Sequence, residues 1–153
     1  MTAFLVLFII AGIVIFPRDE KLQAQVEGES MMPTFHNLEE VIVAKNKKTI
    51  KRFDVIVFQH GEKDKYIKRV IGLPGESLYY QDGILYINHQ KVEDPYHEGN
   101  ENFTLYETAE VMVIPPNQYF VLGDNRKNSY DSRSYGLINQ SDLIGIVDEG
   151  VKE

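Results

Sequence analysis

The clearest strand signal in this chain is the run YIKRVIGLPG at residues 66–75. Its β-branched and apolar residues, closed by Gly and Pro, are typical of a short strand followed by a turn. Side chains alternate between the two faces of a strand, so Lys68 shares a face with Tyr66 and Val70, while Arg69 faces the other way. Lys68 is therefore either an edge-strand lysine that points to solvent or a lysine held against apolar surface.

Similar short runs lie on both sides of this segment and predict a mostly β domain of coiled antiparallel sheets. The predicted strands are 41–44, 54–58, 66–71, 78–80, 84–87, 111–114, 119–122 and 143–147. Asp82 and Gly83 separate two of these runs and predict a tight hairpin. No long stretch after residue 25 keeps a helical period. The polar segment 91–110 is expected to form a long surface excursion.

Composition limits the chemistry that this chain can perform. Its 153 residues suit one domain with one real core, and its net charge of −7 argues against a nucleic-acid partner. The chain has no cysteine, which excludes disulfides, zinc thiolate sites and cysteine nucleophiles. A Ser-His-Asp triad stays open on spacing alone, since triad order varies between folds. The histidines, none with metal-ligand spacing, are His36, His60, His89 and His97.

The amino-terminal residues 1–17 are apolar and predict a single-pass membrane anchor. As a helix, the uncharged part would be roughly 22 Å long, which is short for a hydrocarbon core of about 30 Å. A cleavable signal peptide and a buried core helix are the alternatives, and the absence of a preceding Lys or Arg counts against the signal peptide. Residues 18–25 are expected to form a polar connector, and residues 26–153 the β domain. Arg18 and Lys21 alone would mildly favour a cytoplasmic carboxy-terminal side.

Ser30, Lys68 and a third, polar segment could together build a catalytic site. Residues 28–34, GESMMPT, hold Ser30 in a loop, and a serine hydroxyl is a poor nucleophile unless a base removes its proton. Burial would lower the pKa of Lys68 from about 10.4, and only a neutral amine can accept that proton. Residues 123–133, GDNRKNSYDSR, are either a polar turn or a scaffold that positions the serine and lysine.

In series, these segments resemble the type I signal peptidase family. Residues 28–34 resemble its nucleophile box, 54–58 the following strand, 66–75 its lysine box and 123–133 its last box. The resemblance implies a mostly β catalytic domain of the signal-peptidase and SOS-repressor protease type, preceded by one transmembrane helix. It also implies that residues 26–153 form that catalytic domain.

The family resemblance also implies roles for individual residues. Ser30 would be the nucleophile and Lys68 the general base, with Ser129 hydrogen-bonded to the lysine amine. Asp131 and Arg133 would pair to brace the site. Arg69, beside the lysine, would be structural.

The oxyanion site departs from part of the family. Some members carry a serine two positions before the nucleophile, whose hydroxyl helps to bind the oxyanion, and here that position is Gly28. The backbone N–H groups of Ser30 and Gly28 are the expected donors.

The implied function is that of a membrane-bound serine endopeptidase that removes signal peptides from exported preproteins. The cut would follow a small residue, with another small residue two positions earlier. The protein would span the cell membrane once and hold its catalytic domain on the extracytoplasmic side, in contact with the lipid bilayer. No metal, cofactor or nucleic acid would take part.

Two other functions fit some of the same features. A self-cleaving Ser-Lys protease of the SOS-repressor type shares the Gly-x-Ser-Met theme, but it would need a DNA-binding domain and no anchor. A catalytically silent, membrane-tethered β module that binds peptides would not need both Ser30 and Lys68. Covalent labelling of Ser30 by an acylating agent separates an enzyme from a silent module.

Overall fold

The computed structural model describes residues 21–45, 49–97 and 99–150. The predicted membrane anchor at 1–17 lies outside these residues, and no helix within them is long and apolar enough to cross a bilayer. The strands are β1 (Lys21–Gln25), β2 (Glu40–Ala44), β3 (Val55–His60), β4 (Asp64–Gly72), β5 (Leu78–Gln81), β6 (Ile84–Ile87), β7 (Gln90–Val92), β8 (Phe103–Thr104), β9 (Gln118–Leu122), β10 (Ile138–Asn139) and β11 (Leu143–Val147). The helices are α1 (Leu105–Ala109), α2 (Ser132–Tyr135) and a 3₁₀ turn at Gln140–Asp142.

The strands form two antiparallel sheets, which confirms the predicted mostly β fold. The larger sheet has the order β1-β2-β11-β3-β4-β9-β10, and the smaller has the order β7-β6-β5-β8. Strand β4 lies inside the larger sheet between β3 and β9, with Lys68 opposite Ile56. Strand β4 pairs with β3 through Lys68 but with β9 only from Arg69 onward. Lys68 is nevertheless buried, so the interpretation of Lys68 as a lysine that points to solvent is wrong.

Three apolar clusters fill the interior. One lies between the two sheets and includes Ile71 of β4 and Phe120 of β9. Another packs Met31 and Phe35, from the loop that carries Ser30, against valines of β2 and β3. The third lies across β3, β4 and β9 on the opposite side from the first. The loop after β1 is thus built into the core rather than lying on its surface.

The predicted Asp-Gly hairpin is confirmed. Strands β5 and β6 pair from Leu78 with Ile87 to Gln81 with Ile84, so only Asp82 and Gly83 form the turn. Both turn residues have positive φ, 51° and 76°. A turn of this kind has the twist that joins two antiparallel strands directly.

Three segments differ from the expectations. Lys21–Gln25, expected in a connector, form β1, which pairs along its whole length with β2. Within 91–110, expected as an irregular excursion, β8 leads into α1, whose Thr104 and Glu107 form a capping box. Residues 111–114 are not a strand, because only Ile114 is buried and it bonds to the turn at residues 75–76.

Gly145 leaves no room for a side chain. It lies in β11 between β2 and β3, and a Cβ there would stand 2.6 Å from the Ala44 carbonyl oxygen and 2.7 Å from Val43 Cγ1. The carbonyl is part of the sheet backbone and cannot rotate away. We expect Gly145→Ala to lower the free energy of unfolding by about 1–3 kcal/mol, measured by urea denaturation. Asn100→Ala, at an exposed site, should change it by less than about 0.5 kcal/mol, and equal stability of the two variants would contradict the packing argument.

Candidate active site

The segment at residues 28–34, which is predicted to carry the nucleophile and is called the nucleophile loop below, lies after β1 and is held by apolar residues. Met31 is 1% exposed and Phe35 is 2% exposed, both within the valine cluster of the larger sheet. Their burial fixes the chain on either side of Met32 and Pro33 and leaves Ser30 at the surface of a cleft. A serine with this support keeps a fixed position against the strand behind it.

Lys68 reaches Ser30 from the middle of β4. Its Nζ lies 2.8 Å from Ser30 Oγ and 2.9 Å from the Ile67 carbonyl oxygen. The lysine is only 2% exposed, and its amine lies 5.6 Å from the centroid of the Tyr66 ring. The structure therefore brings together the two residues that the sequence predicted as nucleophile and base.

Burial lowers the pKa of Lys68 to about 8. Desolvation is the largest cause, and the negative charges of Asp131 and Asp124 oppose it. At neutral to mildly alkaline pH, a substantial fraction of the amine is then neutral and has a lone pair available. In that form Ser30 Oγ–H can donate to Nζ, which is the direction of proton transfer that a general base requires.

The third segment, residues 123–133, packs directly on the nucleophile loop. A Cβ on Gly123 would overlap the Ser30 carbonyl oxygen and Ser129 Oγ, so only glycine permits this approach. The Asn125 N–H donates to the Ser30 carbonyl at 3.0 Å. The Asn125 side chain donates from Nδ2 to the Glu29 carbonyl at 3.1 Å.

Asp131 and Arg133 form the ion pair that was expected. Arg133 Nη2 lies 2.8 Å from Asp131 Oδ2, and Asp131 also accepts the N–H of Gly123 at 3.1 Å. The expected bond from Ser129 to the Lys68 amine is not formed in this structure. Ser129 Oγ is buried and has no hydrogen-bond partner there.

The Gly28 N–H does not face an incoming substrate as expected. It donates to Asn37 Oδ1 at 2.8 Å, so the expectation of a second backbone oxyanion donor at Gly28 is not met. In the part of the chain that the structure describes, the Ser30 N–H has no acceptor. It is thus the expected oxyanion donor that remains available.

Arg69 is wholly buried beside Lys68 and faces the opposite side of β4. Its Nε and Nη2 donate to the two carboxylate oxygens of Asp124 at 2.8 Å and 2.7 Å. The guanidinium also lies 3.4 Å from the centroid of the Tyr96 ring. Thr34 Oγ1 donates to the same carboxylate at 2.6 Å, so this ion pair joins all three predicted segments.

The third segment is also tied to the smaller sheet. Arg126 forms a buried ion pair with Asp94 at 2.8 Å and donates to the Tyr80 hydroxyl at 3.1 Å. That hydroxyl in turn donates to Asp94 at 2.6 Å, and burial raises the pKa of Tyr80. Tyr80 belongs to β5 and Asp94 lies just after β7, so this network links the third segment to the smaller sheet.

A cleft of about 900 Å³ leads to Ser30 and Lys68. One wall is residues 24–30 and the other is residues 63–68, with Asn128 and the half-exposed Tyr130 at the rim. A second open cavity of about 680 Å³ is lined by residues 115–118 and 139–141 and includes neither Ser30 nor Lys68, the pair called the dyad below. Of these two cavities, the larger one therefore contains both Ser30 and Lys68.

The histidines lie apart from the dyad. The His60 ring packs at a tilt against Tyr135 with ring centroids 4.4 Å apart, and His97 Nε2 lies 2.8 Å from Glu101 Oε2. No group of three or more His, Asp or Glu within residues 21–45, 49–97 and 99–150 could hold a metal ion. The sequence reasoning did not assign Thr34, Asn37, Asp124, Asn125 or Tyr130 a role, although four of them lie inside the quoted motifs.

Comparison with known proteins identifies the family. A family model described as signal peptidase, peptidase S26, matches residues 1–150. Signal peptidase I of Bacillus caldolyticus is 43% identical over 136 residues, covering 80% of this chain and 75% of that protein. Signal peptidase IB of Staphylococcus aureus (strain COL) is 35% identical over 162 residues, covering 95% of this chain and 82% of that protein.

A solved structure agrees with this result. Signal peptidase I from Enterococcus faecalis V583 has a TM-score of 0.60 and 38% identity, and the match covers 66% of this chain and 98% of that one. A mostly β fold of this kind is therefore shared with a protein of the family. This chain belongs to the signal peptidase family, peptidase S26, as the resemblance of its motifs predicted.

Proposed function

We propose that this protein is a membrane-bound serine endopeptidase that removes amino-terminal signal peptides from exported preproteins. The observation that carries the proposal is the 2.8 Å contact between Ser30 Oγ and the buried Nζ of Lys68 at the cleft. Membership of the signal peptidase family supports the substrate class. Residues 1–17 would anchor the chain in the cell membrane by a single span, with the catalytic domain on the extracytoplasmic side.

Acylation begins when the neutral Lys68 amine takes the Ser30 proton. Ser30 Oγ bonds to the carbonyl carbon of the scissile peptide, and the π electrons of that carbonyl move to its oxygen. The Ser30 N–H donates to this oxyanion. When the tetrahedral intermediate collapses, the C–N bond breaks and Lys68 returns its proton to the leaving amine of the mature protein.

Deacylation repeats these steps with water. Lys68 takes a proton from a water molecule whose oxygen bonds to the acyl carbon, and the bond from that carbon to Ser30 Oγ then breaks. Ser30 regains a proton and the signal peptide leaves with a free carboxylate. No step requires a metal or cofactor.

The cleft suggests how the substrate is held. An extended segment of the preprotein would lie along the walls at residues 24–30 and 63–68, where backbone groups can add it as a strand. Shallow pockets would admit only small side chains next to the cut and two residues before it. Asp131 and Arg133 would brace Ser30 and Lys68, and Arg69 would hold the scaffold behind them.

The direct test is cleavage of a purified preprotein by the full chain in detergent. Amino-terminal sequencing of the product should place the cut after a small residue, and Ser30→Ala should yield no product. A covalent acyl adduct on Ser30 should form with a β-lactam-type or lipopeptide acylating agent. A wild-type chain that binds the preprotein and never cuts it would overturn the proposal in favour of a peptide-binding module.

The pH dependence of acylation should report the lysine. Because burial lowers the pKa of Lys68 to about 8, the neutral base is scarce below that pH and predominates above it. We expect kcat/KM to rise with pH and to reach half its plateau near pH 8. The measurement is the pH profile of preprotein cleavage between pH 6 and about 10, within the range where the fold is intact. A rate that peaks in acid and declines above neutrality would contradict a lysine base.

A further inference from the structure

Two hydrogen bonds to the Glu29 carbonyl hold the peptide group between Glu29 and Ser30. The Glu29 carbonyl accepts the Met32 N–H at 3.1 Å, which is a bond within the nucleophile loop. It also accepts the Asn125 side chain, whose Nδ2 lies at 3.1 Å. The second bond comes from a different loop, so it fixes this peptide group relative to the third segment and not only within its own turn.

The orientation of that carbonyl determines the orientation of the Ser30 N–H. In a trans peptide the C=O and the N–H lie in one plane and point in opposite directions. Holding the Glu29 oxygen toward Asn125 therefore turns the Ser30 N–H away from Asn125. Glu29 and Ser30 both line the cleft, and the Ser30 N–H has no acceptor among the described residues.

Of the two backbone donors expected from the sequence, only the Ser30 N–H is available. Gly28 offers no side chain, and its N–H is occupied by Asn37 Oδ1 at 2.8 Å. The oxyanion of the proposed reaction would then depend on the Ser30 N–H. Removing one oxyanion donor typically costs about 10²–10³ in rate, so its exact direction matters.

We infer that Asn125 is a positioning residue for catalysis, whose carboxamide orients the Ser30 N–H toward the developing oxyanion. This inference rests on the proposed signal-peptide cleavage. Asn125 does not touch the substrate; it acts through the peptide group that it holds. An amide is needed because the contact with the Glu29 carbonyl requires an N–H donor.

The structure separates this role from the folding of the loop. The Asn125 backbone N–H bonds to the Ser30 carbonyl at 3.0 Å, and any side-chain substitution keeps that bond. Asn125→Asp is nearly isosteric but cannot donate, and its charge would face the Glu29 oxygen. Asn125→Ala removes the contact without adding charge, and Asn125→Gln keeps a donor on a longer side chain.

The experiment compares these variants in preprotein cleavage and in binding of a peptide aldehyde that ends in alanine. Ser30 Oγ adds to the aldehyde carbon while its proton passes to Lys68, and the former carbonyl oxygen becomes an alkoxide in the oxyanion position. We expect Asn125→Asp and Asn125→Ala to lower kcat by about 10- to 100-fold with KM little changed. The aldehyde inhibition constant should rise by a similar factor, and Asn125→Gln should recover part of both losses.

Controls separate the possible failures. Asn100→Ala, at an exposed site on a distant loop, should match the wild type in every assay. Thermal melts should show that the Asn125 variants are folded at the assay temperature. Unchanged kcat in Asn125→Asp, or a lower kcat with unchanged aldehyde binding, would overturn the inference while wild-type cleavage upheld the proposed function. A wild type without activity would instead refute the proposed function itself.

Discussion

Lys68→Ala is expected to reduce preprotein cleavage by at least about 10³-fold, because Lys68 is the side chain hydrogen-bonded to Ser30 Oγ among the described residues. Lys68→Arg should be equally inactive, since a guanidinium keeps its proton throughout the working pH range. The pair of variants therefore distinguishes a base from a cation that merely stabilises negative charge. The measurement is kcat/KM on a purified preprotein, together with acylation of Ser30 by a labelled inhibitor.

The control for this experiment is Lys91→Ala, since Lys91 is exposed on β7 in the smaller sheet. It should cleave at the wild-type rate. The double variant Ser30→Ala with Lys68→Ala should be no less active than either single one, because the two residues act as one unit. Substantial cleavage by Lys68→Arg would refute the Ser-Lys mechanism, whatever Lys68→Ala did.

Asp124→Asn is expected to lower the free energy of unfolding by up to about 3 kcal/mol, because it removes the buried carboxylate that pairs with Arg69. The Arg69 guanidinium then keeps only the partly exposed Glu149 carboxylate, 3.1 Å away, as its counter-charge. The side chains of this pair are 0% and 1% exposed, so water cannot replace the lost contact. Stability is measured by urea denaturation of the full chain in detergent. The same change should lower activity, since Asp124 also accepts the hydroxyl of Thr34 in the nucleophile loop.

An exposed ion pair provides the matched control. Lys21 and Asp148 lie 3.5 Å apart with side chains 53% and 35% exposed, so solvent screens their attraction. Asp148→Asn should change the free energy of unfolding by less than about 1 kcal/mol. If Asp124→Asn lowered the free energy of unfolding no more than Asp148→Asn, the Arg69–Asp124 pair would not stabilise the fold as its geometry indicates.

Much of the fold could be predicted because the core strands carry dense apolar runs. Strands β3, β4 and β9 are such runs, and the Asp82-Gly83 turn has its own local signal. The edge strand β1 was missed because its alternation, Leu22 and Ala24 between polar residues, is short and half-polar. Helix α1 was missed although the Thr104 and Glu107 pair, a capping-box spacing, was visible.

The contact between Ser30 and Lys68 could be predicted from motifs, but its surroundings could not. The sequence does not tell which donor bonds to which acceptor. The bond from the Gly28 N–H to Asn37 Oδ1 and the bond from Asn125 Nδ2 to the Glu29 carbonyl are therefore seen only in the structure. The same limit explains why the Ser129 bond to the lysine was expected and is not formed. The residue types suggested that Ser129 would bond to Lys68, whereas the backbone geometry decides whether the two side chains meet.

The buried Tyr80–Asp94–Arg126 network has an evolutionary consequence. The loop at residues 123–133 depends on the smaller sheet for its stability. Loss of Tyr80 or Asp94 would leave the buried charge of Arg126 without one of its partners. Natural length variation should therefore concentrate at the exposed Asn88–His89 turn, outside the network. A homologue that lacked β5 entirely would have to neutralise or re-expose that arginine at the same time.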